Sequence, residues 1–262
     1  MGTSSTVSES RRLTTAIDGA VARIELCHPP LNVIDIAMME ELTQVLAEID
    51  SRREVTIMVI GGGGKAFSVG VDVAAHIPDK VEGMLEKFHG IIRALVATKK
   101  VTIARVHGQC LGGGAELAMM CDIAYTADSA QWGFPEIKLG CYPPVACTAL
   151  AAVVGQKRAA ELILTGRTID GREAAGIGLA TRSAGDTELA STVEECIARL
   201  LTLSPAALAI AKKASYAWDS MHFDKGLARA EKIYFEDLMK TEDANEGVRA
   251  FLEKRAPKWT GR

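Results

Sequence analysis

Hydrophobic and polar residues alternate along two short runs near the start of the chain. These runs, Leu13 to Ile17 and Ala20 to Leu26, flank Asp18-Gly19. Asp and Gly both tolerate a positive φ, which the tight turn of a β-hairpin requires. The pattern therefore predicts that the chain opens with an antiparallel hairpin whose turn is Asp18-Gly19.

Helical periodicity and short apolar runs alternate through the middle of the chain. Apolar residues three and four positions apart predict a helix that includes Met38, Leu42, Val45, Leu46 and Ile49. Further helices are predicted at Lys80 to Thr98 and Ala115 to Cys121, and strands at Val55 to Ile60, Val101 to Val106 and Ile123 to Thr126. Because strands alternate with helices, the sequence predicts an α/β fold with parallel strands.

The last third of the chain has helical periodicity alone. From about Asp186 onward no strand pattern recurs, and the apolar stripes are Leu227, Ala230, Tyr234 and Leu238, followed by Val248, Phe251 and Leu252. Ser204 before Pro205 and Thr241 are predicted helix N-caps. We predict a flexible tail at residues 1–11, a core at 12–200 and a helical region at 201–262, whose stripes must pack on the core or on another subunit.

Composition and charge exclude several classes of protein. The 262 residues are 48% hydrophobic and 24% charged, which is enough for a substantial core. Lys and Arg number 30 against 33 Asp and Glu, so the totals show no basic footprint for nucleic acid. The N-terminal residues lack a signal-peptide pattern, and no run reaches the ~20 apolar residues of a membrane span. The sequence predicts a cytoplasmic protein, without a metal site because its five histidines lack ligand spacing.

Glycine-containing loops follow two of the predicted strands, at Phe67 to Asp72 and at Cys110 to Gly114. A phosphate-binding P-loop would need Gly at Val59 and Ser or Thr at Ala66, and a dinucleotide-binding fingerprint would need Gly at Leu117. No G-x-S-x-G nucleophile motif surrounds Ser68. The remaining use of these glycines is close approach of the backbone to a ligand, and two such loops can direct two N–H groups at one oxygen.

Two glutamates lie among apolar neighbours just after these loops. Glu116 stands in Ala115 to Met120, and Glu136 in Trp132 to Ile137. Each could be solvated or cap a helix, because Glu is seldom buried without a partner. Spacing alone does not bring the two together. If they share a dry cleft, their proton affinities separate, leaving one carboxylate as base and one carboxylic acid.

At these residues the sequence resembles the crotonase superfamily of enoyl-CoA hydratases and isomerases. The resemblance extends from about Arg12 to the end of the chain. Its motifs are Lys65-Ala66-Phe67-Ser68-Val69-Gly70-Val71-Asp72-Val73, the segment Val106 to Ile123 around Gly112-Gly113-Gly114-Ala115-Glu116, and Phe134-Pro135-Glu136-Ile137-Lys138-Leu139-Gly140. The resemblance implies a spiral of ββα units with a C-terminal helical trimerisation region, and a homotrimer or homohexamer.

The resemblance also implies roles for individual residues. The substrate would be an acyl-CoA thioester, so coenzyme A belongs to the substrate and no separate cofactor is expected. The backbone N–H groups of Val71 and Gly113 would bind the thioester oxygen, while Glu116 and Glu136 would act on a water molecule. Three residues fall where the family contacts the adenine end of coenzyme A: Val69, Asp72 and Val73.

Three further segments resemble one branch of the family, which hydrates cyclic dienoyl-CoA thioesters in anaerobic benzoyl-CoA degradation. The segment that matters most is Pro143-Pro144, where other members carry a glycine-rich turn beside the acyl pocket. The alternatives are a hydratase or isomerase for linear acyl-CoA and, more remotely, an RNA-binding relative or a scaffold without activity. The basic stretches are too short for an RNA-binding relative. The two intact glutamates argue against a scaffold without activity.

Overall fold

The structure, a computed structural model, describes residues 12–261, apart from the side chains of residues 217–222 and 224. Its strands are β1 (Leu13–Asp18), β2 (Val21–Leu26), β3 (Ile57–Gly62), β4 (Val101–Val106), β5 (Gln109–Leu111), β6 (Ile123–Ala127), β7 (Gln131–Gly133), β8 (Thr168–Asp170) and β9 (Arg182–Ala184). The α-helices are α1 (Ile36–Ser51), α2 (Pro78–Ala97), α3 (Gly113–Met119), α4 (Pro144–Val154), α5 (Gln156–Thr165), α6 (Gly171–Gly176), α7 (Leu189–Leu201), α8 (Pro205–Glu236) and α9 (Glu242–Leu252). Short 3₁₀ helices span Val73–His76, Pro135–Leu139 and Leu238–Lys240. The tail predicted at residues 1–11 lies outside the described residues.

The larger sheet has six strands in the order β1-β2-β3-β4-β6-β9. β1 and β2 are antiparallel, and the remaining neighbours are parallel, as the alternation of strands and helices predicts. The hairpin is confirmed, but its turn is Gly19-Ala20, because Asp18 still pairs with Val21. Gly19 supplies the positive φ, at 54°.

The third strand lies two residues later than the pattern of apolar residues predicts. It includes Gly61 and Gly62, because the chain packs too closely there for side chains. A β-carbon on Gly62 would lie 2.2 Å from the Ala66 carbonyl oxygen, and one on Gly61 would lie 2.8 Å from a Glu25 carboxylate oxygen. These glycines therefore extend the strand instead of opening a loop.

A second sheet of three short strands, β5-β7-β8, is not predicted by the sequence pattern. Each strand has three residues, too few to show alternation. In this sheet Cys110 pairs with Trp132, and the Gly112 N–H donates to the Gly133 carbonyl at 2.9 Å. The pairing places the start of α3 beside the turn at Pro135–Leu139.

The C-terminal third is helical after β9, and both predicted N-caps are confirmed. Ser204 Oγ accepts from the Ala207 N–H and Thr241 Oγ1 from the Ala244 N–H. The stripe on α8 is buried at Leu227 and Tyr234. The division into a core and a helical region stays a prediction. No helix in the described part of the chain is both long and apolar enough to span a bilayer.

The predicted apolar stripe at the end of the chain packs on the core of the single chain at one of its three positions, and contact of the other two with another subunit stays a prediction. Val248 is buried, whereas Phe251 and Leu252 expose about half of their surface, 53% and 49%. The inner face of α9 packs against the 3₁₀ turn at Pro135–Leu139 instead. A β-carbon on Gly247 would lie 2.1 Å from the Leu139 carbonyl oxygen, so α9 approaches that turn through its small residues.

Candidate active site

Glu116 lies in the first turn of α3, inside the protein. Its residue exposure is 3%, and its Oε1 accepts a hydrogen bond from the Ala146 N–H at 2.9 Å. Burial raises the pKa of Glu116 to about 7, and the N–H groups of Ala146 and Val145 partly oppose that rise. The prediction that this glutamate could be solvated is therefore wrong: it is a buried carboxyl group held by the start of α4.

Glu136 lies in the 3₁₀ turn that follows β7. Its Oε2 is buried and has no hydrogen-bond partner within the described residues. Burial raises the pKa of Glu136 to about 8, and the nearby Glu116 carboxylate adds to the rise. Oε1 lies so close to the N-cap of α3 that a β-carbon on Gly112 would stand 2.7 Å away. The two glutamates, far apart in sequence, therefore share one site.

The two glycine-rich loops converge next to this pair. A β-carbon on Gly70 would lie 3.1 Å from the Gly113 nitrogen, and one on Gly113 would lie 3.4 Å from the Val71 nitrogen. Across residues 12–261, no hydrogen-bond acceptor is found for the N–H of Val71 or of Gly113. Two neighbouring N–H groups without protein partners can donate to a single oxygen atom.

The chain matches the family model described as enoyl-CoA hydratase/isomerase over residues 16–262. It belongs to the enoyl-CoA hydratase/isomerase family. This membership confirms the crotonase-type fold and the prediction that the protein is an enzyme.

Members of this family with similar sequences come from several bacteria. The chain is 36% identical over 247 residues to the cyclohexa-1,5-dienecarbonyl-CoA hydratase of Thauera aromatica, covering 94% of this chain and 95% of that protein. It is equally 36% identical, over 249 residues, to a probable enoyl-CoA hydratase of Mycobacterium bovis, covering 94% and 96%. A crystal structure of an enoyl-CoA hydratase from Mycobacterium avium subsp. paratuberculosis has a TM-score of 0.86 at 26% identity, covering 95% and 99%.

The residues predicted to contact coenzyme A lie in the loop that leads into the first 3₁₀ helix and at its first residue, Val73. Val69, Asp72 and Val73 are each half-buried. The Val69 N–H donates to the Leu31 carbonyl at 3.1 Å, and Asp72 Oδ1 accepts from the Ala74 N–H at 3.0 Å. These bonds shape the loop of this family member, and the role of the three residues in coenzyme A binding stays a prediction.

Several groups around the glutamates were not predicted from the sequence. The Ala146 N–H that holds Glu116 belongs to the first turn of α4, after Pro143-Pro144, so the proline pair was an available signal of a helix start. Phe88 of α2 reaches the glycine loop at Gly113, since a β-carbon on Gly113 would lie 3.1 Å from the Cζ atom of Phe88. Such contacts depend on long-range packing, for which local periodicity carries no signal.

Proposed function

We propose that this protein adds water to the double bond of an α,β-unsaturated acyl-CoA thioester. The observation that carries the proposal is the pair of buried carboxyl groups, Glu116 and Glu136, with pKa values raised to about 7 and about 8. Next to them are the N–H groups of Val71 and Gly113, which have no acceptor among the described residues. A hydration needs a base for water, an acid for carbon and stabilisation of an enolate, and this site has groups for all three.

In the proposed mechanism, the N–H groups of Val71 and Gly113 bind the thioester carbonyl oxygen. As the new bond forms at the β-carbon, negative charge develops on that oxygen and strengthens both hydrogen bonds. Removing one such donor typically raises the barrier by about 2.7–4 kcal/mol. Because both donors belong to the backbone, the bulk of the Val71 side chain does not remove one.

The two glutamates act on the same water molecule in different protonation states. The Ala146 N–H donates to Glu116, whereas Glu136 Oε2 has no donor among the described residues, so we assign the carboxylate to Glu116 and the proton to Glu136. Glu116 takes a proton from water while the water oxygen bonds to the β-carbon and the electron pair of the double bond moves toward the thioester oxygen. Glu136 then donates its proton to carbon, which completes the addition of water.

We propose further that the substrate is cyclohexa-1,5-diene-1-carboxyl-CoA, which would place the reaction in anaerobic benzoyl-CoA degradation. Water would attack the ring carbon β to the thioester, and the proton would reach the far, vinylogous carbon, giving 6-hydroxycyclohex-1-ene-1-carboxyl-CoA. The Thauera aromatica relative supports this substrate. Pro143 and the buried Pro144 support it too, because they begin the helix that holds Glu116 and their rings fix φ in this wall of the proposed acyl pocket.

A linear enoyl-CoA is the second candidate substrate. The identity to the Mycobacterium bovis hydratase is just as high, at 36%. A cavity of about 710 Å³ also lies between α3, α4 and α8, with Met119 and Cys147 in its wall. Cys147 directly follows Ala146, whose N–H donates to Glu116, so one wall of this cavity lies near a reacting group, and the cavity has room for a chain.

We also propose that the chain assembles as a homotrimer or homohexamer, with the adenine end of coenzyme A against Val69, Asp72 and Val73. Large apolar side chains near and on α8 remain exposed in the single chain and support assembly: Leu201 at 48%, Leu203 at 52% and Ile210 at 68%. Light scattering of the purified protein tests the assembly, and a monomer would contradict it.

A substrate panel tests the proposed function. Hydration is followed for the cyclic dienoyl-CoA, crotonyl-CoA and longer linear 2-enoyl-CoA thioesters, with Glu116→Gln as the blank for contaminating activity. We expect kcat/KM to be at least about tenfold higher for the cyclic thioester, as a shape-specific wall allows. A preference for linear substrates would overturn the finer assignment, and no hydration of any thioester would overturn the function.

A further inference from the structure

Tyr234 is a buried tyrosine on the inner face of α8, and the mechanism above does not use it. Its exposure is 1%, and its hydroxyl group has no hydrogen-bond partner within the described residues. Glu136 Oε2 is likewise buried and has no hydrogen-bond partner within the described residues. Two unsatisfied polar atoms thus belong to the same part of the interior, one a hydroxyl donor and the other a carboxylate acceptor.

The surroundings of Tyr234 connect it to Glu136. Cys141 is the shared neighbour: its N–H donates to the Glu136 carbonyl oxygen at 3.1 Å, and the next residue, Tyr142, packs against the Tyr234 ring. The Cys141 sulfur is near the Tyr234 hydroxyl, but the contact does not meet hydrogen-bond geometry. Burial raises the pKa of Tyr234, and the Cys141 thiol and Glu136 raise it further. The hydroxyl therefore keeps its proton at any working pH and remains a hydrogen-bond donor.

The neighbouring Tyr142 shows that the fold can satisfy a tyrosine here. The two rings pack edge to face, with centroids 5.2 Å apart and planes at 67°. The Tyr142 hydroxyl donates to the Ala230 carbonyl oxygen at 2.5 Å, so it has a protein partner. The Tyr234 hydroxyl lacks one among the described residues, although Tyr234 belongs to the same helix as Ala230.

Leaving buried polar atoms unpaired is unfavourable. An unsatisfied buried hydroxyl or carboxylate costs on the order of its full desolvation penalty, and native proteins rarely keep such groups without a bound water or ligand. A buried water needs two to four polar partners. The Tyr234 hydroxyl, Glu136 Oε2 and the Cys141 sulfur provide three.

We infer that Tyr234 is a positioning residue for Glu136, which it holds by donating a hydrogen bond to a water molecule that Glu136 Oε2 also binds. This inference rests on the proposed function of Glu136. The bridge fixes the rotation of the carboxyl group, so that the other oxygen, Oε1, keeps its place beside the N-cap of α3. It also favours the ionised form of Glu136, because donated hydrogen bonds stabilise a carboxylate.

The test compares Tyr234→Phe with Tyr142→Phe in the full-length enzyme. Tyr234→Phe removes the bridging donor, so we expect kcat to fall about tenfold while KM changes less than twofold. The alkaline limb of the pH profile should move upward, because Glu136 loses a group that favours its ionised form. Tyr142→Phe loses a hydroxyl of the same ring pair and should leave kcat and the limb unchanged.

Contrary outcomes distinguish this inference from the proposed function. If the wild type hydrates its substrate and Tyr234→Phe has the same kcat and pH profile, the inference is overturned and the function is not. If the wild type hydrates nothing, the function itself falls. Should Tyr234→Phe fail to fold, a high-resolution crystal structure of the wild type decides: we expect a water within about 3.2 Å of both the Tyr234 hydroxyl and Glu136 Oε2, and a dry gap contradicts it.

Discussion

The two glutamates of the site are the same residue type in one cleft, yet their surroundings differ. Glu116 is part of a helix, and the first turn of α4 donates a hydrogen bond to its carboxylate. Glu136 is part of a short 3₁₀ turn, and its Oε2 has no partner in the described part of the protein. The difference shows how a fold separates two acidities: backbone donors favour the ionised form on one side, and a neighbouring charge disfavours it on the other.

Replacing either glutamate should have the largest effect. We expect Glu116→Gln and Glu136→Gln each to lower kcat for hydration by about a hundredfold or more, since each removes one of the two proton transfers. Steady-state kinetics on the preferred acyl-CoA measures the loss. Glu40→Gln is the matched control, because Glu40 is exposed and forms an ion pair with Lys87 at the surface. A variant that keeps full turnover would remove that glutamate from the mechanism.

A smaller effect should follow from moving Glu136 alone. Gly112→Ala places a β-carbon 2.7 Å from Glu136 Oε1 at a residue whose φ is 52°. We expect kcat/KM to fall about tenfold or more, because the carboxyl group must shift from its reacting position. Gly64→Ala is the control: its φ is 75°, and nothing lies within 4 Å of the new β-carbon. If kcat/KM fell equally in both variants, backbone strain and not the shift of Glu136 would explain the effect.

The contrast between the glutamates was only partly predictable from sequence. Long elements such as α1 and β4 follow from periodicity, because their residues repeat over several turns or along a whole buried strand. The pairing of β5 with β7, which joins the two glutamate segments, involves three residues a strand and leaves no pattern. The convergence of Glu116 and Glu136 was therefore implied by the family resemblance and not by spacing.

Partners from distant parts of the chain were the least predictable. The Ala146 N–H reaches Glu116 from 30 residues away, and Tyr234, on the C-terminal helix α8, packs against Tyr142. The apolar stripe correctly predicts that Tyr234 is buried, but periodicity does not specify what a buried hydroxyl faces. Phe251 and Leu252 are exposed in the single chain, which fits the prediction that such stripes pack on the core or on another subunit, because an apolar residue on a helix need not find its partner within its own chain.

The pH dependence should separate the two roles. Glu116 must be ionised as base, so activity should rise as pH increases through about 7, and Glu136 must be protonated as acid, so activity should fall above about 8. The profile of kcat/KM is then a narrow bell. The residual activity of Glu136→Gln should lose its alkaline limb and keep its acidic limb. Retention of the alkaline limb would show that another group carries the proton.

The smallest expected effect is on stability. Both carboxyl pKa values lie above the ordinary value of 4.5, so the folded protein binds these protons more tightly than the unfolded chain does. That contribution is complete below pH 4.5 and is lost as pH rises through about 7 to 8. Glu136→Gln cannot ionise, so we expect its Tm to exceed that of the wild type by about 3 °C at pH 9. Calorimetry at pH 5 is the control, where the gain should vanish.

The most direct test of the shared site is a crystal structure of the protein with a bound hydroxyacyl-CoA product. We expect the new hydroxyl oxygen to lie within hydrogen-bond distance of carboxylate oxygens of both Glu116 and Glu136. The thioester oxygen should lie about 2.7–3.1 Å from the nitrogens of Val71 and Gly113. A product whose hydroxyl contacts neither glutamate, or whose thioester oxygen lies away from both N–H groups, would contradict the account.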